Sequence, residues 1–232
     1  MKLIMTMAWL ALRELWISPR LLVLLVPFIS AGALAALLPM SVSDATDRFA
    51  AALGVATMIV AAVAATSLAT ERRLGRAGWL VSQAVPRGSL LAGWLVAICA
   101  ATLPALAAAG LVAWLALSES PRAPAAGSFA LDLVAVGCGT LAAAALGLLA
   151  GTTLSSVAAP VVALLICCGV AAVTIAAPAI GSLLPGAGHQ ALAGLPDTPR
   201  PLGGALQAAG VSLGAAAILL AVARAAFERA DL

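Results

Sequence analysis

The densest run of side chains able to carry charge chemistry is Glu71-Arg72-Arg73-Leu74-Gly75-Arg76-Ala77-Gly78-Trp79, continuing through Leu80 and Val81 to Pro86 and Arg87. Charge mixed with Trp79, Leu80 and Val81 and stopped by a proline predicts a short helix. Its apolar patch with a charged rim predicts a docking surface. Elsewhere such residues are few. His189 is the single histidine and Lys2 the single lysine, so a multi-histidine metal or haem site within one chain is excluded. A buried catalytic lysine is excluded too. The phosphate loop Gly-x-x-x-x-Gly-Lys-[Ser/Thr] cannot occur, because no glycine precedes Lys2. His189 reads as an ordinary loop histidine rather than a ligand or proton relay. Cys99, Cys138, Cys167 and Cys168 lie inside apolar stretches without C-x-x-C spacing, and read as small hydrophobes. Neither a Ser–His pair nor a carboxylate pair is placed for hydrolysis, so neither a catalytic residue nor a metal site is expected.

These residues must be positioned by a very apolar frame. Of 232 residues, 64% are hydrophobic and 9% charged. Mean hydropathy is +1.15. Soluble domains carry about 25% charged residues, and a chain this long lacks the interior to hide so much apolar surface. Disorder is excluded by the same balance. The expectation is an all-α integral membrane protein. The apolar N-terminal run is broken by Arg13 and Glu14 before any small-residue cleavage site, so that segment is expected to be retained.

A span needs about 20 mostly apolar residues. Six segments qualify, at about 21–40, 49–68, 90–117, 131–150, 157–177 and 203–222. The third is long enough to tilt, kink at Pro104 or protrude. Placing both termini in the cytoplasm puts Lys2, Arg13, Arg20, Arg72, Arg73, Arg76, Arg87, Arg224 and Arg229 inside, and Arg48, Arg122 and Arg200 outside. That asymmetry obeys the positive-inside rule. Asp44, Asp47, Glu119, Asp132 and Asp197 then fall on the outer side, with Asp132 near a helix end and within reach of water. Ser30, Thr57, Thr66, Thr102, Thr140 and Thr174 are the typical polar residues within spans. The absence of a charge at mid-span counts against ion-coupled transport and against a charged-ring channel. Gly147/Gly151 and Gly210/Gly214 match the G-x-x-x-G packing spacing.

Three further pieces are neither plain spans nor plain loops. Residues 1–19 form a domain-like leader to the six-span unit 20–232. On a helical wheel Lys2, Thr6 and Arg13 gather within about 40°, the rest being Leu, Ile, Met and Ala with Trp9 and Trp16. With Glu14, this reads as an amphipathic interfacial helix in contact with membrane lipid. The stretch 71–87 is the docking helix described above. Residues 179–201, with Pro185 and His189, are too apolar for a solvated loop and too broken for a span, and read as short helices dipping into the outer leaflet.

This order resembles the permease subunits of ATP-binding-cassette transporters of the type-2 exporter family. The likeness rests on three places. Ala11-Leu-Arg-Glu-Leu-Trp-Ile-Ser-Pro-Arg20 resembles the family's charged helix before the first span. Glu71-Arg72 through Gly78, then Val85-Pro86-Arg87 and Leu90-Leu91-Ala92-Gly93, is similar to its Glu-Arg-Glu-x-Gly-Thr … Pro-Val-Ser-Arg signature, with Arg73 standing where the second acid is usual. Leu184-Pro185-Gly-Ala-Gly-His-Gln-Ala-Leu192 resembles its outer re-entrant segment.

The resemblance implies a six-helix permease of the plasma membrane with an N-terminal interfacial helix, a cytoplasmic coupling helix and an outer re-entrant element between spans five and six; the bias toward alanine and arginine points to a GC-rich bacterium. It implies that ATP and Mg are bound by a separate ATP-binding cassette subunit, that this chain is not itself an enzyme and binds no cofactor, and that a second permease copy or a paralogue completes the path. Glu71, Arg72, Arg73, Gly75, Arg76 and Trp79 would couple to the ATPase subunit, and the cargo would be lipidic or amphipathic. Nucleic acid is not an expected partner. Two other classes stay open. A stand-alone secondary carrier predicts activity without an ATPase and an essential charge or histidine in the path. A non-transporting scaffold predicts neither cargo nor stimulation of a partner's ATPase.

Overall fold

The computed structural model describes residues 2–37, 41–82, 85–120, 123–193, 195 and 202–229. Among them are ten helices and no strand: α1 (Lys2–Ile17), α2 (Arg20–Leu37), α3 (Val42–Arg73), α4 (Arg76–Ser82), α5 (Arg87–Ser118), α6 (Ala126–Thr153), α7 (Ala158–Ala176), α8 (Pro178–Gly181), α9 (Ala187–Ala193) and α10 (Leu202–Arg229). Six of them, α2, α3, α5, α6, α7 and α10, are long and apolar enough to cross a membrane. They alternate in direction, so α1 and α4 share one end of the bundle and α8 and α9 approach from the other. Arg122, Asp197 and Arg200 lie outside the described residues.

Helices α3, α5, α6 and α10 outrun the apolar segments that predict them, whereas α7 falls one residue short of its segment at each end, and residues 38–40 of the first segment lie outside the described residues. Helix α3 has 32 residues, a length of about 48 Å against a hydrocarbon core of about 30 Å. Its start takes in Asp44, Asp47 and Arg48 because Ser41 caps it: the Asp44 N–H donates to Ser41 Oγ at 3.2 Å, and that hydroxyl donates to the Asp44 carboxylate at 2.6 Å. Its other end carries Glu71, Arg72 and Arg73 and stops at Gly75. There φ is +70°, the left-handed conformation that glycine adopts without Cβ strain. Helix α5 also has 32 residues and continues through Pro104.

Helix α6 is the hub, touching α3, α5, α7, α9 and α10. Its apolar window is 67% buried, against 17% for α7 at the rim. Gly147 and Gly151 make the α3–α6 seam possible: a Cβ on Gly147 would come 2.1 Å from the Ala61 carbonyl oxygen, and one on Gly151 would come 2.8 Å from that of Ala65. Helix α1 lies on α5 at Gly93, where a Cβ would come 2.5 Å from Met7 Cβ.

Two expectations are corrected. Asp132 does not reach water; it is 3% exposed, because it sits in the second turn of the most enclosed helix. On α1 the buried side is Met7, Ala8, Ala11 and Leu15. Trp9 and Trp16 instead share the exposed side with Lys2, Thr6 and Arg13. Met7 and Ala8 make the close approach to α5 at Gly93.

Candidate functional site

Two regions bring polar side chains together. The first is the end carrying α1 and α4, where the structure divides the six charged-turn residues into two groups. Glu71 is buried, and its carboxylate accepts from Arg76 Nη1 at 3.3 Å. The same Nη1 lies 3.3 Å from the Glu14 carboxylate of α1. Arg72 turns inward and donates to the Gly151 carbonyl at 3.0 Å, satisfying an oxygen that the last turn of α6 leaves without an intrahelical partner. Gly75 makes the turn. Arg73 is exposed beside Leu74 and Trp79, which are 52% and 64% exposed. Thus Glu71, Arg72 and Arg76 hold the fold, while Arg73, Leu74 and Trp79 face outward.

Arg76 joins two pieces that the sequence presents 62 residues apart. Between α1, α4, α5 and the end of α3 lies a cleft of about 310 Å³, with Met7, Leu10, Glu14, Leu80 and Trp94 among its walls. Close by, Arg87 donates to the Phe227 and Glu228 carbonyls at 2.5 and 2.9 Å, tying the end of α10 to the start of α5. Of the α1 residues singled out in the sequence, Lys2, Trp9, Arg13 and Trp16 are exposed and Glu14 is half-buried.

The second region is built by α9. His189 is not in a loop: it stands on this short helix and projects into the bundle, its Nε2 3.2 Å from Thr57 Oγ1. Thr57 Oγ1 is 3.2 Å from Thr140 Oγ1. These threonines lie midway along α3 and α6, so α9 penetrates to the middle of the bundle. Glycines allow this depth. A Cβ on Gly139 would come 2.7 Å from the Pro185 carbonyl oxygen, and one on Gly188 the same distance from the Ala135 carbonyl carbon. Ser212 of α10 donates to that Pro185 carbonyl at 3.3 Å, and Gln190 Nε2 donates to the Thr174 carbonyl.

Most of the threonines noted in the sequence bond the carbonyl four residues back, as Thr66, Thr102, Thr140 and Thr174 do. Thr57 bonds across the bundle instead. Nothing in its local sequence separates it from the others. The available signal is the neighbouring pair His189-Gln190, two hydrogen-bonding side chains set after Gly186 and Gly188 in an otherwise apolar element. No protein-family model matches the chain, and no match is found among curated proteins.

Proposed function

We propose that this chain is the permease subunit of an ATP-driven exporter of the ATP-binding-cassette type-2 kind, working as a dimer with a second copy or a paralogue and coupled to a separate subunit that binds ATP and Mg. The observation that carries this reading is the outward display of Arg73, Leu74 and Trp79 between the second and third long helices. That patch is backed by partly buried links from Arg76 to Glu71 and from Arg72 to α6. A partner pressing on α4 would act through Arg76 on Glu14 of α1 and on Glu71 of α3, and from α3 through Arg72 on α6. Each nucleotide state can then favour one arrangement of the long helices, which is what coupling requires.

On this reading α4 is the coupling helix, α1 lies along the inner membrane face with Trp9, Trp16, Lys2 and Arg13 toward the headgroups, and α8–α9 is the outer re-entrant element. Both termini are cytoplasmic in a bacterial plasma membrane. The gathering of basic residues at the α4 end supports that orientation. The chain performs no catalysis itself, and the apolar character of its helices suits a lipidic or amphipathic cargo.

The test is affinity isolation of the full chain from its native membrane, followed by an ATPase assay of the complex. An ATP-binding subunit is expected to accompany the chain. The double variant Arg73→Glu, Trp79→Ala is expected to lose it or to uncouple its hydrolysis, with Arg72 untouched because it holds the end of α6. Isolation of the intact chain without an ATPase would overturn the reading. One observation favours a second reading: His189 at mid-bundle is the kind of group that a stand-alone carrier needs. That reading expects transport by the chain alone in vesicles, lost in His189→Leu.

A further inference from the structure

The alanines Ala61, Ala65, Ala69, Ala143, Ala150, Ala159 and Ala163 join α3, α6 and α7 toward the α4 end. Toward the α9 end the three helices part. The space between them is a cleft of about 500 Å³, with walls that include Val55 and Met58 of α3, Ala142 and Leu146 of α6, and Val170 and Ile175 of α7. This volume lies within the range of about 300–1,000 Å³ usual for small-molecule sites. Val55 and Ile175 are exposed at its mouth, whereas Thr57 and Ala142 are buried at its depth. The hydrogen-bonding groups converge at the deep, α9 side: Thr57 with His189, and Gln190 beside them.

We infer that this cleft binds an uncharged, largely apolar molecule carrying one hydroxyl group, with the hydroxyl at Thr57 and His189 and the hydrocarbon along α3 and α7. A hydroxyl both donates and accepts, so it suits a threonine–imidazole pair whichever imidazole nitrogen carries the proton. A carboxylate does not fit. Among the described residues no Lys or Arg lines the cleft, Asp47 at its rim repels anions, and a buried unpaired charge is costly. An alkane fits the walls but adds no hydrogen bond to the Thr57–His189 pair. The site needs neither ATP nor a partner subunit, so it stands or falls apart from the exporter reading.

The experiment uses the full chain in lipid nanodiscs without nucleotide, labelled by a diazirine-bearing long-chain alcohol. Unlabelled alcohol, alkane and carboxylate of equal length serve as competitors. Crosslinks are expected in residues 50–58 of α3 and 166–175 of α7. The alcohol should compete about five- to tenfold better than the alkane, the share of a net hydrogen bond, and the carboxylate should compete least. Thr57→Val should reduce the alcohol to the alkane's level, while Thr57→Ser keeps the preference. Ala171→Phe, which fills the cleft from α7, should abolish specific labelling. Labelling spread evenly over the outer faces of α2 and α5 would overturn the inference, as would equal competition by alkane and alcohol in the unaltered chain. So would a preference for the carboxylate, or labelling that survives Ala171→Phe. The competitor ranking needs no variant, so a variant that fails to fold leaves the decision intact.

Discussion

Helices α6 and α10 carry the same spacing of glycines, and the structure uses the two pairs in opposite ways. Gly147 and Gly151 face α3 so closely that a Cβ on either would meet a backbone oxygen of Ala61 or Ala65. Around Gly210 and Gly214, no described atom beyond the adjoining backbone of α10 itself lies within 4 Å of the Cβ position. The first pair is a condition of the fold, because two backbones approach there and only a missing side chain permits it. The second pair lies on the open side of α10, and the folded chain does not need it. A motif of spacing reports that close packing is possible; which neighbour arrives decides whether it occurs.

The largest expected effect follows from the tightest contact. Gly147→Ala should cost about 3 kcal/mol through overpacking, read as a lowered unfolding midpoint in mild detergent. Gly210→Ala should leave the midpoint within about 0.5 kcal/mol. Equal losses in the two would break the comparison. Next comes the α9 contact. Gly139→Ala should cost about 2 kcal/mol by pushing on the Pro185 carbonyl, and should raise hydrogen exchange in α9 while α1 and α4 are unchanged.

At the other end, the arginines sharpen the same lesson. Arg72→Ala should cost about 1.5 kcal/mol, because it removes a charged donor from the end of α6, whereas its neighbour Arg73→Ala should be neutral in the same unfolding assay. Smallest is Arg76→Ala. Its guanidinium is half exposed, so loss of its bridges should cost about 0.5 kcal/mol after solvent screening. The expected signature is faster exchange in α1, released from Glu14, rather than a shifted midpoint. Unchanged α1 exchange would show that Met7 against Gly93 holds α1 without help.

Much of the helical frame was legible beforehand. Each long helix coincides with most or all of one of the six apolar segments, since about 20 apolar residues in a row leave few alternatives. Helix ends were less legible. Ser41 and Gly75 set the bounds of α3 through a side-chain cap and a positive φ, and both fall in polar stretches that hydropathy reads as loops. The wheel of α1 gathered Lys2, Thr6 and Arg13 correctly on one exposed side, but it could not say that the opposite side would be taken by α5 rather than lipid. The six charged-turn residues looked like one docking unit; the fold turns Glu71 and Arg72 inward, ties the half-exposed Arg76 to Glu71 and Glu14, and leaves Arg73 and Trp79 outside.

By itself the sequence determined what depends on sums over neighbouring residues. Six stretches are long and apolar enough to cross a membrane, the basic residues gather at one end, and this chain has no lysine placed for a phosphate loop. Only the tertiary structure decided what depends on partners distant in the chain: the meeting of His189 with Thr57 across 132 residues, the burial of Asp132, and the use of one glycine pair but not the other. Hydropathy and periodicity describe a helix against an average surrounding. A bond between two side chains requires the position and rotation of two particular helices, and those are set by all the contacts of the bundle at once.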